Sequence, residues 1–327
     1  MRRPSPLLQR SIKILEKALG PEHDNVAVCL NNLATLYYTQ GQYAKAEPLY
    51  QRSLKIGEAV HGPEHPHVAV RLNNLAKLYY AQGLYDKAEP LYLRSLKIFE
   101  KALGPDHPHL ATNLSNLAGF YYTEGQYAKA EPLYLRSLKI REKVLGPDHP
   151  DLAASLNNLA TLYYAQGQHA KAEPLYLRAL KILEKGLGPD HPHVAASLNN
   201  LAELYQEQGQ YVKAEPLYLR SLKIWEKAVG PDHPHVAASL NNLAALYYSQ
   251  EQYAKAEPLY QRSLKIWEKS LGPDHPDVAN ALEGYANVLN KMGRAKEAAS
   301  LHARGEVIRK KHAQAKLPVP LRSRAAN

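Results

Sequence analysis

The sequence predicts an all-α solenoid built from antiparallel helix pairs, and three observations predict it. Gly-Pro recurs at Gly20, Gly62, Gly104, Gly146, Gly188, Gly230 and Gly272, always 42 residues apart. A fixed period of roughly 20–50 residues marks an array in which each unit covers the apolar face of the next. Inside each period apolar residues fall at helical spacing in two separate runs, and no segment keeps the period-two alternation of a half-buried strand.

The elements follow in order. Pro6 aligns with Pro48, so residues 1–23 read as a half repeat, a second helix without its first. Its Ile12, Leu15 and Leu19 are expected to lack a covering helix and to offer a surface for self-association. Six full units of 42 residues span 24–275. In the second copy Val68, Leu72, Leu75, Ala76 and Tyr79 give the first helix one apolar face. Gln82-Gly83 ends it, because glycine accepts the left-handed conformation of a C-terminal cap. Tyr85, Ala88, Tyr92, Leu96 and Phe99 then mark a second helix, with Pro90 placed near the turn whose N–H groups lack intrahelical acceptors. Gly104-Pro105 stops that helix, and Asp106-His107-Pro108 supplies a cap and an N1 proline for the next. The last unit, 276–311, has drifted and reads as a polar cap on the stack, and 312–327 reads as a basic, disordered tail.

Leu72, Leu75, Ala76, Tyr79, Gly83, Tyr85, Ala88, Tyr92 and Ser95 fall where tetratricopeptide repeats (TPRs) place their signature residues. The period, the Leu-Asn-Asn-Leu-Ala core and the Gly-Pro-Asp-His-Pro loop resemble the kinesin-light-chain type. The resemblance implies a right-handed superhelical TPR array with a concave groove for protein or peptide ligands. It does not imply motor association, since a heptad coiled coil is missing, nor clamping of a terminal carboxylate, since the groove flank carries Asn, Thr35, Gly119, Thr161, Glu203 and Ala245, with Lys77 its clear basic residue.

Composition narrows the function classes. The net charge of +10 is concentrated at the end of the chain: ten basic and two acidic residues follow from Lys291 onward. The rest is nearly neutral, and the basic end has no interleaved aromatics, so nucleic-acid binding is not expected. No apolar run is long enough to span a bilayer, and a single cysteine, Cys29, fits a reducing compartment, so the expected location is cytoplasmic. Phosphate-binding glycine loops, His-Glu-x-x-His and Gly-x-Ser-x-Gly are missing, and Cys29 has no marked partner; an enzyme is not expected. His65/His67, His107/His109, His191/His193 and His233/His235 form His-Pro-His. The intervening proline is expected to splay the two imidazoles, leaving them to close the turn and cap the helix, with no metal and no cofactor bound.

Candidate binding residues lie on the first helix. On a wheel of about 100° per residue, Asn73 lies roughly 100° from Leu72 and Asn74 about 200°, so neither enters the core of its own pair. The first asparagine recurs as Asn31, Asn73, Asn157, Asn199 and Asn241, and the flanking tyrosine as Tyr38, Tyr80, Tyr122, Tyr164 and Tyr248. Asn offers an acceptor and donors, the complement of a peptide unit. With the resemblance placing this flank in the groove, these residues and Lys77 are the expected site for extended peptide. A second role stays open, in which one asparagine of each pair bonds the neighbouring repeat. The alternative function is structural self-assembly through the N-terminal helix. Second-helix charges (Lys87, Arg94, Lys97, Glu100, Lys101) read as a solvated face with intrahelical pairs. The column Gly57, Phe99, Arg141, Leu183, Trp225 and Trp267 reads as partly exposed, covering the inter-repeat loop.

Overall fold

The structure, a computed structural model, describes residues 5–316, and every regular element among them is an α-helix. The chain divides into two compact units, Met1–Gln168 and His169–Asn327. The first holds α1 (Ser5–Leu19), α2 (Asp24–Thr39), α3 (Tyr43–His61), α4 (Pro66–Ala81), α5 (Tyr85–Leu103), α6 (Pro108–Thr123), α7 (Tyr127–Leu145) and α8 (Pro150–Ala165). The second holds α9 (His169–Leu187), α10 (Pro192–Glu207), α11 (Tyr211–Val229), α12 (Pro234–Ser249), α13 (Tyr253–Leu271), α14 (Pro276–Lys291) and α15 (Ala295–Lys316). Within each unit consecutive helices pack on one another as a solenoid requires. Helix α15 runs past residue 311, so the first five residues of the expected tail are helical; residues 317–327 lie outside the described residues. None of the described helices is long and apolar enough to cross a membrane.

Histidine starts the first helices. Nδ1 of His65 accepts the backbone N–H of His67 at 3.2 Å, with Pro66 at the first helical position. His23, His107, His149, His191, His233 and His275 repeat the contact. An imidazole protonated at Nδ1 cannot accept such a bond. Burial, with His61 and His67 beside it, holds His65 below the ordinary imidazole value, and burial with His233 does the same for His235. Groups with a depressed folded pKa add stability that is present above the unfolded value and lost as pH falls through the folded one. The melting temperature is therefore expected to drop as pH is lowered from about 7.5 to about 5. His65→Asn should shrink that drop, because an Asn cap, worth ~1 kcal/mol, does not titrate in this range.

At the other end of the first helices a residue in the left-handed region makes the turn, as in Gly83 with φ of 74°. Glu251 takes this position with φ of 59°, the one positive-φ non-glycine residue among those described. Glu251→Gly is expected to stabilise the chain by about 0.5–1 kcal/mol, read as a rise in melting temperature, by removing Cβ strain. The second-helix proline lies deeper than its sequence placement: the Ala88 N–H already bonds Leu84 O, so Pro90 sits inside the bonded helix and denies the Asp86 carbonyl a donor.

The core is shared between repeats. Val68, Ala69 and Leu72 of α4 pack with Ile98 and Phe99 of α5, Leu110, Ala111 and Leu114 of α6, and Ile140 of α7. Inside five of the described pairs a buried serine of the second helix (Ser53, Ser95, Ser137, Ser221, Ser263) donates to a first-helix carbonyl, as Ser95 does to Ala69 O and Ser137 to Ala111 O, both at 2.7 Å. Between repeats Tyr121 donates to Glu89 of the preceding second helix at 2.8 Å, and Tyr79, Tyr163 and Tyr247 donate likewise to Glu47, Glu131 and Glu215, whereas Tyr37 accepts from Gln9 of α1. Burial and the Glu89 carboxylate push Tyr121 up to about 12, while Lys129 lies over its ring.

Two expectations are corrected. Second-helix charges pair mainly along the stack, bridging one repeat to the next: Arg94 with Glu58, Arg136 with Glu100, Lys101 with Glu64 and Lys143 with Asp106. The arginine also reaches a loop carbonyl, Arg94 to Pro63 O at 3.1 Å. The column from Gly57 to Trp267 is mostly buried, with Phe99 at 2% and Trp267 at 6% exposure, because the next repeat's first helix lies over it. Trp225, half-buried, stacks on His235 in the first turn of α12 with centroids 4.3 Å apart. On α1, Ile12 is buried in the α2–α3 core, and the apolar residues left in water are Leu7, Ile14 and Leu19.

Candidate functional site

Successive first helices touch one another, α2 with α4, α4 with α6 and α6 with α8 in the first unit, α10 with α12 and α12 with α14 in the second. Successive second helices are instead bridged by the long side chains described above. First helices therefore form the inner layer of each unit. Their burial is wide: on α4, Val68, Ala69, Arg71, Leu72, Asn73, Leu75, Ala76, Leu78 and Tyr79 are all buried. What remains accessible on α4 is a narrow stripe through Val70, Asn74, Lys77 and Ala81, with Tyr80 at its edge.

That stripe runs through the second asparagine of each pair rather than the first. Asn32 and Asn158 are exposed and Asn74 and Asn116 half-buried. Asn73 is 8% exposed, and its Oδ1 accepts from Asn113 at 3.3 Å and Asn116 at 3.1 Å. Asn31 Oδ1 accepts from Asn74 at 3.0 Å. Asn157, Asn199 and Asn241 are half-buried, and the Oδ1 of each is enclosed with no hydrogen-bond partner. The wheel missed this because it weighed a first helix against its own partner alone. A first helix also meets the preceding second helix and the neighbouring first helices, and those contacts enclose the first-asparagine flank.

The tyrosines sit beside the stripe. Tyr38, Tyr80, Tyr122, Tyr164 and Tyr248 are half-buried. Tyr38, Tyr80, Tyr122 and Tyr248 each meet the tyrosine that opens the next helix, Tyr43, Tyr85, Tyr127 and Tyr253, with centroids 5.6–6.1 Å apart. Tyr80 Oη and Thr123 Oγ1 of the next repeat are 2.6 Å apart. Lys77 Nζ lies over the Tyr38 ring, 5.9 Å from its centroid. Burial, with Tyr43 and Tyr80, raises the Tyr38 phenol, so it stays a neutral donor and acceptor at physiological pH. Between α2 and α4 the stripe opens into a cavity of about 180 Å³ lined by Val28, Asn31, His67, Val70 and Arg71. In the second unit the corresponding face is more acidic, with Glu203 and Glu207 exposed on α10.

The His-Pro-His rings are not splayed. His65 and His67 have centroids 4.9 Å apart, and His61 at the end of α3 adds a third ring, 4.6 Å from His65 and 5.3 Å from His67.

A family model described as a tetratricopeptide repeat matches residues 6–59, 32–101, 68–119, 109–185, 156–227, 193–269 and 235–311. Among solved structures the chain is similar to BtubC (BKLC) from P. vanneervenii, with 26% identity and a TM-score of 0.57 over 80% of this chain and 96% of that one. It is similar to the nearly identical TPR-like repeats of a Podosopora anserina putative kinesin light chain, with 31% identity and a TM-score of 0.55 over 63% of this chain and 98% of that one. The apo form of the quorum sensor NprR from B. thuringiensis shares the fold, with 16% identity and a TM-score of 0.74 over 94% of this chain and 84% of that one. No curated protein matches.

Proposed function

The chain belongs to the tetratricopeptide repeat family, and we propose that it is a non-enzymatic scaffold holding extended peptide segments of partner proteins on the inner stripe of its first unit. The accessible stripe itself carries this reading: it offers amide, phenol and apolar groups in a fixed order at each repeat, with a side-chain-sized cavity between Val28 and Val70. Packed helices lie about 8–10 Å apart, and extended peptide rises about 3.3 Å per residue. Asn32, Asn74, Asn116 and Asn158 would then meet the ligand backbone at every third residue or so. Their amides can serve either backbone group, while Tyr38, Tyr80, Tyr122 and Tyr164 supply apolar walls with polar tips. In this reading Asn31 and Asn73 hold the stack, and Lys77 favours a ligand acidic near the second repeat.

Peptide-display selection on the wild type and on Val28→Glu/Val70→Glu/Lys77→Glu tests the proposal, after melts establish that both fold. Enrichment of an extended motif on the wild type, lost in the variant, is the expected result. A folded wild type that enriches nothing, or a motif indifferent to the three substitutions, would overturn it.

A further inference from the structure

We propose that His61, His65 and His67 form a binding site for a divalent transition-metal ion, zinc(II) in the first instance, that staples the first repeat to the second. The three residues each offer a ligand nitrogen, and these atoms lie within 4.8 Å of one another. Among the described residues no other set of three His, Cys, Asp or Glu side chains converges in this way. Zinc–imidazole bonds of ~2.0–2.1 Å in a tetrahedral shell put donor nitrogens ~3.4 Å apart. Small side-chain rotations therefore close the site with no change in the backbone. The cap on α4 occupies His65 Nδ1, which leaves Nε2 of that ring for a metal.

The surroundings suit imidazole donors. His61 Nε2 is 3.0 Å from Asp24 Oδ1, inside ion-pair range but out of line for a hydrogen bond, so this enclosed nitrogen has no well-aligned partner. Asp24 supplies negative charge beside the ring, as carboxylates do behind metal-binding histidines. Arg71 anchors the same carboxylate oxygen, Oδ1, from 2.6 Å away. Three neutral nitrogens with one nearby carboxylate select a zinc-like ion over calcium or magnesium, which prefer all-oxygen shells.

The cluster belongs to one junction. The position of His61 is Leu103, Leu145, Leu187, Val229 and Leu271 in the later repeats. There the loop keeps a single His-Pro pair or a His-Pro-His without a third imidazole. The array is therefore its own control, and His61→Leu installs a residue the fold already accepts at this place.

Calorimetric titration of tag-free protein with zinc chloride, on the wild type and on His61→Leu, decides the matter. The expected result is one saturable equivalent with a micromolar or tighter Kd on the wild type, weakened at least tenfold in His61→Leu. Cobalt(II) should give visible ligand-field absorption with the wild type, which zinc displaces. In parallel, zinc should raise the melting temperature of the wild type and leave His61→Leu unchanged. No saturable binding below about 100 µM zinc, or equal binding by both proteins, would overturn the proposal. Peptide capture by the inner stripe is read in a separate assay, so failure of one reading does not mask failure of the other.

Discussion

Gly57→Ala is expected to destabilise the junction between α3 and α4 by about 2–4 kcal/mol, although replacing a helical glycine ordinarily gains about 1 kcal/mol. A Cβ at Gly57 would stand 2.2 Å from Arg71 Nη1 and 3.0 Å from its Cζ. A guanidinium at the end of a flexible side chain could normally swing aside. Arg71 is 4% exposed and tied to half-buried Asp24 at 2.6 Å, so moving it breaks a partly buried ion pair. Losing one partner of a fully buried pair costs ~3–5 kcal/mol, and the water that reaches Asp24 lowers that here. Arg71→Asn alone should also destabilise, leaving a cavity and leaving Asp24 with His61 but without its guanidinium partner. Here burial alone raises the carboxyl, and Arg71 with His61 more than offsets that, leaving it below the usual carboxylate range. Its share of the stability is present above the unfolded pKa and lost as pH falls through the folded one. Gly57→Phe/Arg71→Asn reproduces the pair that Phe99 and Asn113 form one repeat later, and should be more stable than the sum of the single changes by at least ~2 kcal/mol. Because repeat arrays need not unfold in one step, the readout is native-state hydrogen exchange of α3 and α4 beside the global melt. Additive single and double variants would show that Gly57 and Arg71 are not coupled.

The same column shows what the sequence made legible. Helix boundaries, caps and the pairing of helices could be read from the 42-residue period, because each depends on residues close in the chain: His107-Pro108 to start α6, Gln82-Gly83 to end α4. The environment of Gly57 could not be read, since the group that fills its space is Arg71, on the next repeat. Tolerance of Gly, Arg and Trp at one position looked like exposure and is instead exchange of volume across a junction. Arg141, whose Nη1 donates to Ser155 at 3.0 Å, places a guanidinium in the equivalent space from the opposite side. The second-helix charges were misread for the same reason. Arg94 has Glu58 as its partner 36 residues away, a spacing that is meaningful only once the repeats are stacked. The candidate site suffered similarly: a wheel drawn for one helix selected Asn73, whereas the open arc of α4 passes through Asn74 once all its neighbours are in place. His61 escaped notice because it is the last residue of one helix and its companions open the next.

Asn73→Ala and Asn241→Ala, chemically the same change at equivalent positions, are expected to differ by about 2 kcal/mol. Asn73 Oδ1 accepts two amides, and one of them belongs to Asn113, which is 1% exposed and keeps only its 2.9 Å bond to Ser95 when the acceptor goes. A buried donor left without a partner costs ~1–3 kcal/mol; Asn116, half-buried, can turn to water. Asn241 Oδ1 is already enclosed without a partner. The residue that would supply its donor, placed as Asn74 and Asn116 are in the first unit, is Gly284. Removing an unsatisfied carbonyl returns part of its desolvation cost, so Asn241→Ala should stay within about 1 kcal/mol of the wild type. Restoring the consensus donor with Gly284→Asn should not help, because a Cβ there meets the Tyr260 ring at 2.6 Å, and Tyr260 is 5% exposed with little room to yield. Thermal melts of the three variants, with hydrogen exchange of α4 and α6 for the first, check the ordering. Equal losses for Asn73→Ala and Asn241→Ala would mean that the inter-repeat amide bonds in the first unit carry no more stability than an unpaired carbonyl in the second. The asparagine column would then have to be explained by what binds to it rather than by what it holds together.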